Sequence, residues 1–305
     1  MSYRYKKKKG RKVLVLLITI AVIVAVFTAV LAWYFFAGQP DTDRFKISPS
    51  SDQTQSTEPT AQSDSVPQST EESNEPTATE QTNPTVDNGN VTSQYIIEYD
   101  ADGNEYYNYT SIPVSFENMK EINSDLYAWI YIPGTQVDYP IAQAADDDSF
   151  YLTHDIYKNY SIYGTIYTEK CNSKDFNDAN TLIYGHEMLN GSMFQNLHYY
   201  EDEEYFNSNP YFYIFTENRI LTYQIFSAFQ YDDRHIMYAF DFTQPDEYQS
   251  FLNEAMNPQS SIANVRDGVE VTTEDKIVTL STCDGSNSEN RYLVCGVLIS
   301  DQTIS

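Results

Sequence analysis

The sequence predicts a mainly β domain of eight short strands with a few helices, preceded by an N-terminal transmembrane helix and a disordered stalk. Three observations predict it. Val13 to Phe36 is a run of 24 residues without a charge. From about residue 38 to 93 almost no large apolar side chain occurs. Beyond that point eight apolar segments are separated by Gly, Pro, Asn, Asp and Ser, the pattern of a barrel or sandwich.

As a helix rising ~1.5 Å per residue, residues 13–36 reach ~36 Å, enough to cross a ~30 Å hydrocarbon core with some tilt. A cleaved signal peptide would carry an apolar region of only ~7–15 residues ending at a small-residue site. Here the run continues into Trp33, Tyr34, Phe35 and Phe36, aromatics suited to a membrane interface. Seven of the 18 basic residues lie in the first twelve positions, and no acid precedes Asp41. By the positive-inside rule residues 1–12 are expected in the cytoplasm and the rest outside, a single-pass protein of the cell membrane.

Residues 37–93, rich in Ser, Thr, Pro, Gln, Glu and Asp, cannot bury enough apolar surface to offset the entropy of ordering, so they are read as a disordered extracellular linker. Residues 94–305 are then one folded domain. From Asp41 onward 44 acids face 11 bases, a balance that repels phosphate backbones and excludes a nucleic-acid partner. Three cysteines, an odd number, argue against a disulfide framework. Cys295, within an apolar run, reads as a buried hydrophobe.

Within the domain, Ser115 to Asn123 has the spacing of a short amphipathic helix capped by Ser115. Trp129–Ile132 reads as a strand stopped by Pro133-Gly134, and Gln136–Ala142 as its partner. Further strands are expected at Tyr163–Thr168, Thr181–Tyr184, Tyr211–Thr216, Ile220–Tyr231, Lys276–Thr282 and Tyr292–Ser300. A helix is expected to start at Ser192-Met-Phe-Gln195, a capping-box pattern. Another spans Pro245 to Met256, where Tyr248, Phe251, Leu252 and Ala255 recur at helical spacing and Asn257-Pro258 ends it.

No glycine-rich phosphate loop, Cys-x-x-Cys pair or His-Glu-x-x-His helix occurs, so nucleotide and zinc chemistry lack their usual signals and no cofactor is expected. Asp146–Asp148 and Glu201–Glu204 lack the alternating ligands and glycine of a calcium loop and read as solvated acidic surface.

Chemistry concentrates in Thr279-Leu-Ser-Thr-Cys283-Asp-Gly-Ser-Asn-Ser-Glu-Asn-Arg291. Cys283 falls where an apolar strand gives way to a polar loop, which places its thiol beside solvent at a sheet end. If the flanking strands are adjacent, Arg291 returns close to Cys283 and offers it a permanently charged donor. A thiol of ordinary pKa ~8.5 is only a few per cent ionised at neutral pH and needs a proton partner. Of four histidines, His154, His198 and His235 read as surface residues. His186 follows the apolar strand Thr181–Tyr184 and Gly185, at a strand end.

Thr-Leu-Ser-Thr-Cys283 resembles the Thr-Leu-x-Thr-Cys signature of sortases, Tyr-Gly-His186 resembles their histidine motif, and Arg291 completes the set. Trp129-Ile-Tyr-Ile-Pro-Gly-Thr, Asp138-Tyr-Pro, Gly164-Thr-Ile-Tyr and Gly185-His-Glu-Met-Leu-Asn-Gly-Ser-Met-Phe194 extend the resemblance, class B in arrangement, over nearly all of residues 115–300. The resemblance implies a closed eight-stranded barrel with its active site at one end. It implies that Cys283 attacks a sorting-signal peptide to give a thioacyl enzyme, which an amine then resolves. His186 would move the protons. Arg291 would stabilise the oxyanion or position peptide carbonyls. Ser281 and Thr282 would line the groove beside the thiol. The implied partners are the sorting signal of a secreted protein and a peptidoglycan amine. Two other readings are carried: a pilin-polymerising enzyme with a lysine acceptor, and a membrane-tethered binding module in which Cys283 is merely buried.

Overall fold

The computed structural model describes residues 16–30, 32, 41–47, 94–284 and 287–304. Residues 16–30 and 32 are helical. Among the described residues no helix is long and apolar enough to cross a membrane, and the remainder of the expected span lies outside them.

In chain order the domain runs β1 (Tyr95–Tyr99), β2 (Glu105–Tyr109), α1 (Phe116–Ile122), β3 (Leu126–Tyr131), β4 (Asp138–Ala142), β5 (Ile166–Tyr167) and β6 (Asn180–Tyr184). It continues with α2 (Glu203–Ser208), β7 (Tyr211–Phe215), β8 (Arg219–Asp232), α3 (Ile236–Ala239), α4 (Pro245–Met256), β9 (Ala263–Val265), β10 (Ile277–Asp284) and β11 (Asn287–Thr303). The main sheet is ordered β11-β10-β6-β5-β4-β3-β7-β8-β9, and β11 also pairs with β8. That last pairing closes eight strands into a barrel and leaves β9 as an appendage on β8. The eight strands of the ring are the eight expected from sequence.

Strand alternation divides the side chains between inside and outside. Ile130, Ile141, Ile183, Ile214, Leu221, Val278, Leu280, Tyr292 and Val294 belong to one cluster that fills the barrel. A second cluster packs Trp129, Tyr213 and Phe215 under α1 and β2. A third lies beneath α4, whose Tyr248, Phe251, Leu252 and Ala255 cover Phe226, Ile277, Leu293 and Cys295. Ser115 caps α1 as expected, its side chain accepting from the Asn118 N–H. Gly134 adopts φ +73°, a conformation that favours glycine, and turns β3 into β4.

Three expectations are corrected. The capping box at Ser192 does not form: the Ser192 hydroxyl donates to Asn190 Oδ1 at 2.7 Å, and a 3-10 helix starts at Gln195 without a side-chain cap. The helix has Phe194 at its N-cap, so Ser192 does not occupy the capping position. The polar segment after Cys283 is not one long loop, because β10 extends to Asp284 and β11 begins at Asn287. Ladder pairing here overrides weak strand propensity. Part of the stretch read as linker is packed: Phe45 is fully buried against Trp129, and the Ile47 N–H donates to the Pro113 carbonyl at 2.9 Å. Gln94 Nε2 also donates to the Ile47 carbonyl at 3.1 Å, so Ile47 and Gln94 lie side by side. The rest of that stretch lies outside the described residues.

Candidate active site

β6 runs parallel to β10 with Tyr184 beside Ser281, and the Gly185 N–H donates to the Ser281 carbonyl at 3.1 Å, carrying the ladder one residue beyond β6. His186 follows directly, two residues beyond the last β6–β10 pair. On the other flank Cys283 and Arg291 are direct antiparallel partners, and Arg291 in turn faces Tyr231 on β8. Three adjacent strands thus present Cys283, Arg291 and Tyr231 in a row, with His186 just past the end of β6, the strand on the other side of β10.

Directly paired residues share a face, so the Cys283 and Arg291 side chains project together. That face is the outside of the barrel, since Val278 and Leu280 alternate inward and Ser281 and Cys283 outward. Cys283 is exposed. Ser281 shares its face, though nearly buried. Thr282 points inward opposite Tyr292 and is 2 % exposed, so strand parity removes it from the expected groove lining.

His186 is anchored at both ends of its residue. Its Nε2 donates to the Leu152 carbonyl at 2.6 Å, and its own carbonyl accepts from the Phe194 N–H at 2.9 Å. A neutral ring held this way leaves Nδ1 as the nitrogen able to accept a proton. Gly185 makes the approach possible: a Cβ there would come within 2.6 Å of the Phe194 ring and of Ile166 Cδ1.

Of the other thiols Cys171 is exposed and Cys295 is buried. Partial desolvation pushes Cys171 up to about 11, with Glu169 and Asp148 adding to it. Burial pushes Cys295 up to about 12. Tyr167 and Tyr184 stack outside β5 and β6 with ring centroids 5.2 Å apart, and burial holds both phenols neutral. Tyr167 feels Cys283 and Arg291 in opposite senses, which sets it within electrostatic reach of both. It is a neutral hydroxyl beside the site that sequence reasoning did not single out.

The three remaining histidines are partly exposed, and each has a partner. His154 stacks on Phe150 at 3.9 Å. His235 Nε2 lies 2.7 Å from Glu169 Oε2. His198 Nε2 lies 3.1 Å from the Cys283 carbonyl oxygen. The acidic clusters serve local structure: Asp148 accepts from the Lys170 N–H, Asp202 caps α2, and Glu201 meets His198. Among the described residues no three His, Cys, Asp or Glu side chains are placed to hold a metal ion.

The arrangement is suited to acyl transfer, with a thiol between a proton carrier and a fixed cation. Comparison with known proteins points the same way. A sortase domain model matches residues 130–299, more than half of the chain. Sortase B of Listeria monocytogenes is 30 % identical over 187 residues, covering 60 % of this chain and 73 % of that protein. Among solved structures, Clostridium perfringens sortase B is similar at 32 % identity and a TM-score of 0.55, over 61 % of this chain and 100 % of that one. A Staphylococcus aureus sortase B–substrate complex matches at 29 % identity and a TM-score of 0.53, over 61 % and 84 %.

Proposed function

The chain belongs to the sortase family, a family of cysteine transpeptidases, and is class B-like; from that membership we propose that it cleaves the sorting signal of secreted proteins and transfers them to a peptidoglycan amine. The observation that carries this reading is the pairing of Cys283 with Arg291 across β10 and β11, with His186 just past the end of β6 on the other flank of β10.

In the proposed reaction the Cys283 thiol gives its proton to Nδ1 of His186, and the sulfur, as thiolate, adds to the carbonyl carbon of the scissile peptide bond. The carbonyl oxygen takes the negative charge, and Arg291 donates to it from the adjacent strand. As the tetrahedral intermediate collapses, the C–N bond breaks and His186 gives its proton to the departing amine. The product is a thioester on Cys283. An incoming amine attacks that thioester, loses a proton to His186, and expels the Cys283 thiolate with a new amide bond formed. Ser281, on the face of Cys283, borders the peptide. Residues 13–36 would hold the enzyme in the membrane with residues 94–305 outside, where secreted clients emerge and wall amines are available.

The test is incubation with candidate sorting-signal peptides followed by mass spectrometry. An adduct on Cys283 equal to the N-terminal fragment, absent in Cys283→Ala, is expected. Undiminished cleavage by Cys283→Ala would overturn the reading. Adding a peptidoglycan-derived amine or a pilin lysine peptide then identifies the acceptor. Fractionation of the full chain against one lacking residues 1–36 tests the anchor.

A further inference from the structure

We propose that His198 is a positioning residue that holds the three strand ends of the active site in register, with the Cys283 carbonyl as its principal ligand. The proposal rests on the thioacyl-transfer reading above. Its basis is that one imidazole touches the immediate surroundings of all three reacting residues. Nε2 lies 3.1 Å from the carbonyl oxygen of Cys283 itself. It also lies 3.8 Å from a carboxylate oxygen of Glu187, the residue after His186. The ring packs against Tyr292, the residue after Arg291, with centroids 5.0 Å apart.

A carbonyl oxygen only accepts, so Nε2 carries the hydrogen in the bond to Cys283. Nδ1 lies 2.6 Å from Glu201 Oε1, and an ionised carboxylate only accepts as well. The bond to the Cys283 carbonyl is the one that reaches the nucleophile, and the Glu201 and Glu187 carboxylates flank the same ring. His198 sits on the 3-10 helix that precedes α2, so it ties the ends of β6, β10 and β11 to a neighbouring helical segment. The side chain is 15 % exposed, so the bond is largely enclosed from solvent.

The site needs such a tether for a structural reason. The Ser281 carbonyl accepts from the Gly185 N–H as the last rung between β10 and β6, and the Cys283 carbonyl, two residues on and facing the same flank, lies beyond the end of that ladder. Small displacements of a nucleophile are costly to rate. His198 supplies the bond that β6 stops supplying.

The experiment compares His198→Ala and His198→Gln in the full chain. Glutamine can present an amide N–H to the Cys283 carbonyl but brings no charge. For cleavage of a sorting-signal peptide, His198→Ala is expected to lower kcat roughly 10- to 100-fold with KM changed less than about threefold. His198→Gln is expected to regain most of kcat. Full kcat in His198→Ala would overturn the proposal, as would equal losses in both variants accompanied by equal falls in Tm. Amide hydrogen exchange supplies an arm that needs no substrate. His198→Ala should speed exchange at Thr282, Cys283 and Arg291 while amides of β3 and β7 stay protected, and His198→Gln should restore protection. Unchanged exchange overturns the proposal even if wild-type protein forms no thioacyl adduct, an outcome that would sink the transpeptidase reading separately.

Discussion

Cys283 and Arg291 are direct cross-strand partners on β10 and β11, eight residues apart in sequence and side by side on the outer face of the barrel. Arg291 is therefore carried on a strand rather than on a loop, from which, under the proposed reaction, its guanidinium would serve an oxyanion formed at Cys283. Arg291→Ala is expected to lower kcat by about 100- to 1000-fold, the scale of removing an oxyanion donor. Arg291→Lys should recover only part of it, because a point charge does not reproduce the planar fork. Steady-state turnover on a sorting-signal peptide checks both, with melting curves to show that each variant is folded. Equal turnover by Arg291→Lys and wild type would reduce the role to charge alone.

Gly185 separates β6 from His186, and the Phe194 ring occupies the space where a side chain would begin. Gly185→Ala must displace either Phe194, a fully buried core residue, or the segment that carries His186. The expected cost is about 1–3 kcal/mol of stability, the range of overpacking a tight site. Chemical denaturation measures it. Turnover should fall by more than that loss explains, since the bond from His186 to the Leu152 carbonyl depends on the same backbone path.

The barrel was legible in the sequence because each of its eight strands buries at least one face, and burial writes alternation or continuous apolar runs. β1 and β2 were not legible: Ile96, Ile97 and Tyr99 are exposed, so the segment carries apolar residues without a core-facing period. β9 is three residues long, too short to show one. The site divides in the same way. Cys283, His186 and Arg291 sit at strand ends that periodicity locates and motifs sharpen. Thr282 was misassigned because nearness in sequence to a nucleophile ignores strand parity. His198 left no signal, because its partner is a backbone carbonyl 85 residues away and backbone carbonyls are the same in every residue.

The three cysteines are expected to react with a thiol reagent at very different rates. Cys283 is exposed on the site face. Cys171 is exposed as well, but its thiol is pushed up to about 11 by partial desolvation beside Glu169 and Asp148, so little of it is thiolate at pH 7.5. Cys295 is fully buried. Iodoacetamide at pH 7.5 should therefore modify Cys283 first, and peptide mapping would show Cys171 following only as pH rises toward 11. Folding favours the protonated Cys171 thiol. Its contribution to stability is complete below the ordinary thiol value of about 9 and is lost as pH climbs through the range to about 11. Labelling of Cys171 ahead of Cys283 at neutral pH would support the binding-module reading instead.

Phe45 anchors a segment that composition assigned to the linker, and its removal tests how that segment is held. The ring is fully buried, Lys46 Nζ pairs with Asp138 Oδ2 at 2.7 Å, and the Ser115 N–H donates to the Phe45 carbonyl at 2.8 Å. Phe45→Ala removes the apolar part of this docking, worth about 3–5 kcal/mol in a closed core. The loss is smaller here, because residues 41–47 can undock while the barrel stays folded. Hydrogen exchange should then show the Ile47 and Ser115 amides losing protection while β3 and β7 keep theirs. The converse variant replaces residues 48–93 by about four glycines joining Ile47 to Gln94, which already touch. Treated as a flexible chain, a loop cut from 46 residues to about four lowers the closure entropy cost by about 2 kcal/mol, so docking should strengthen. Peptide turnover should be unchanged, because Phe45 packs on Trp129 of β3 and not on the strand ends that carry Cys283, His186 and Arg291. A fall in turnover on deleting 48–93 would show that those residues take part in catalysis and not only in connection.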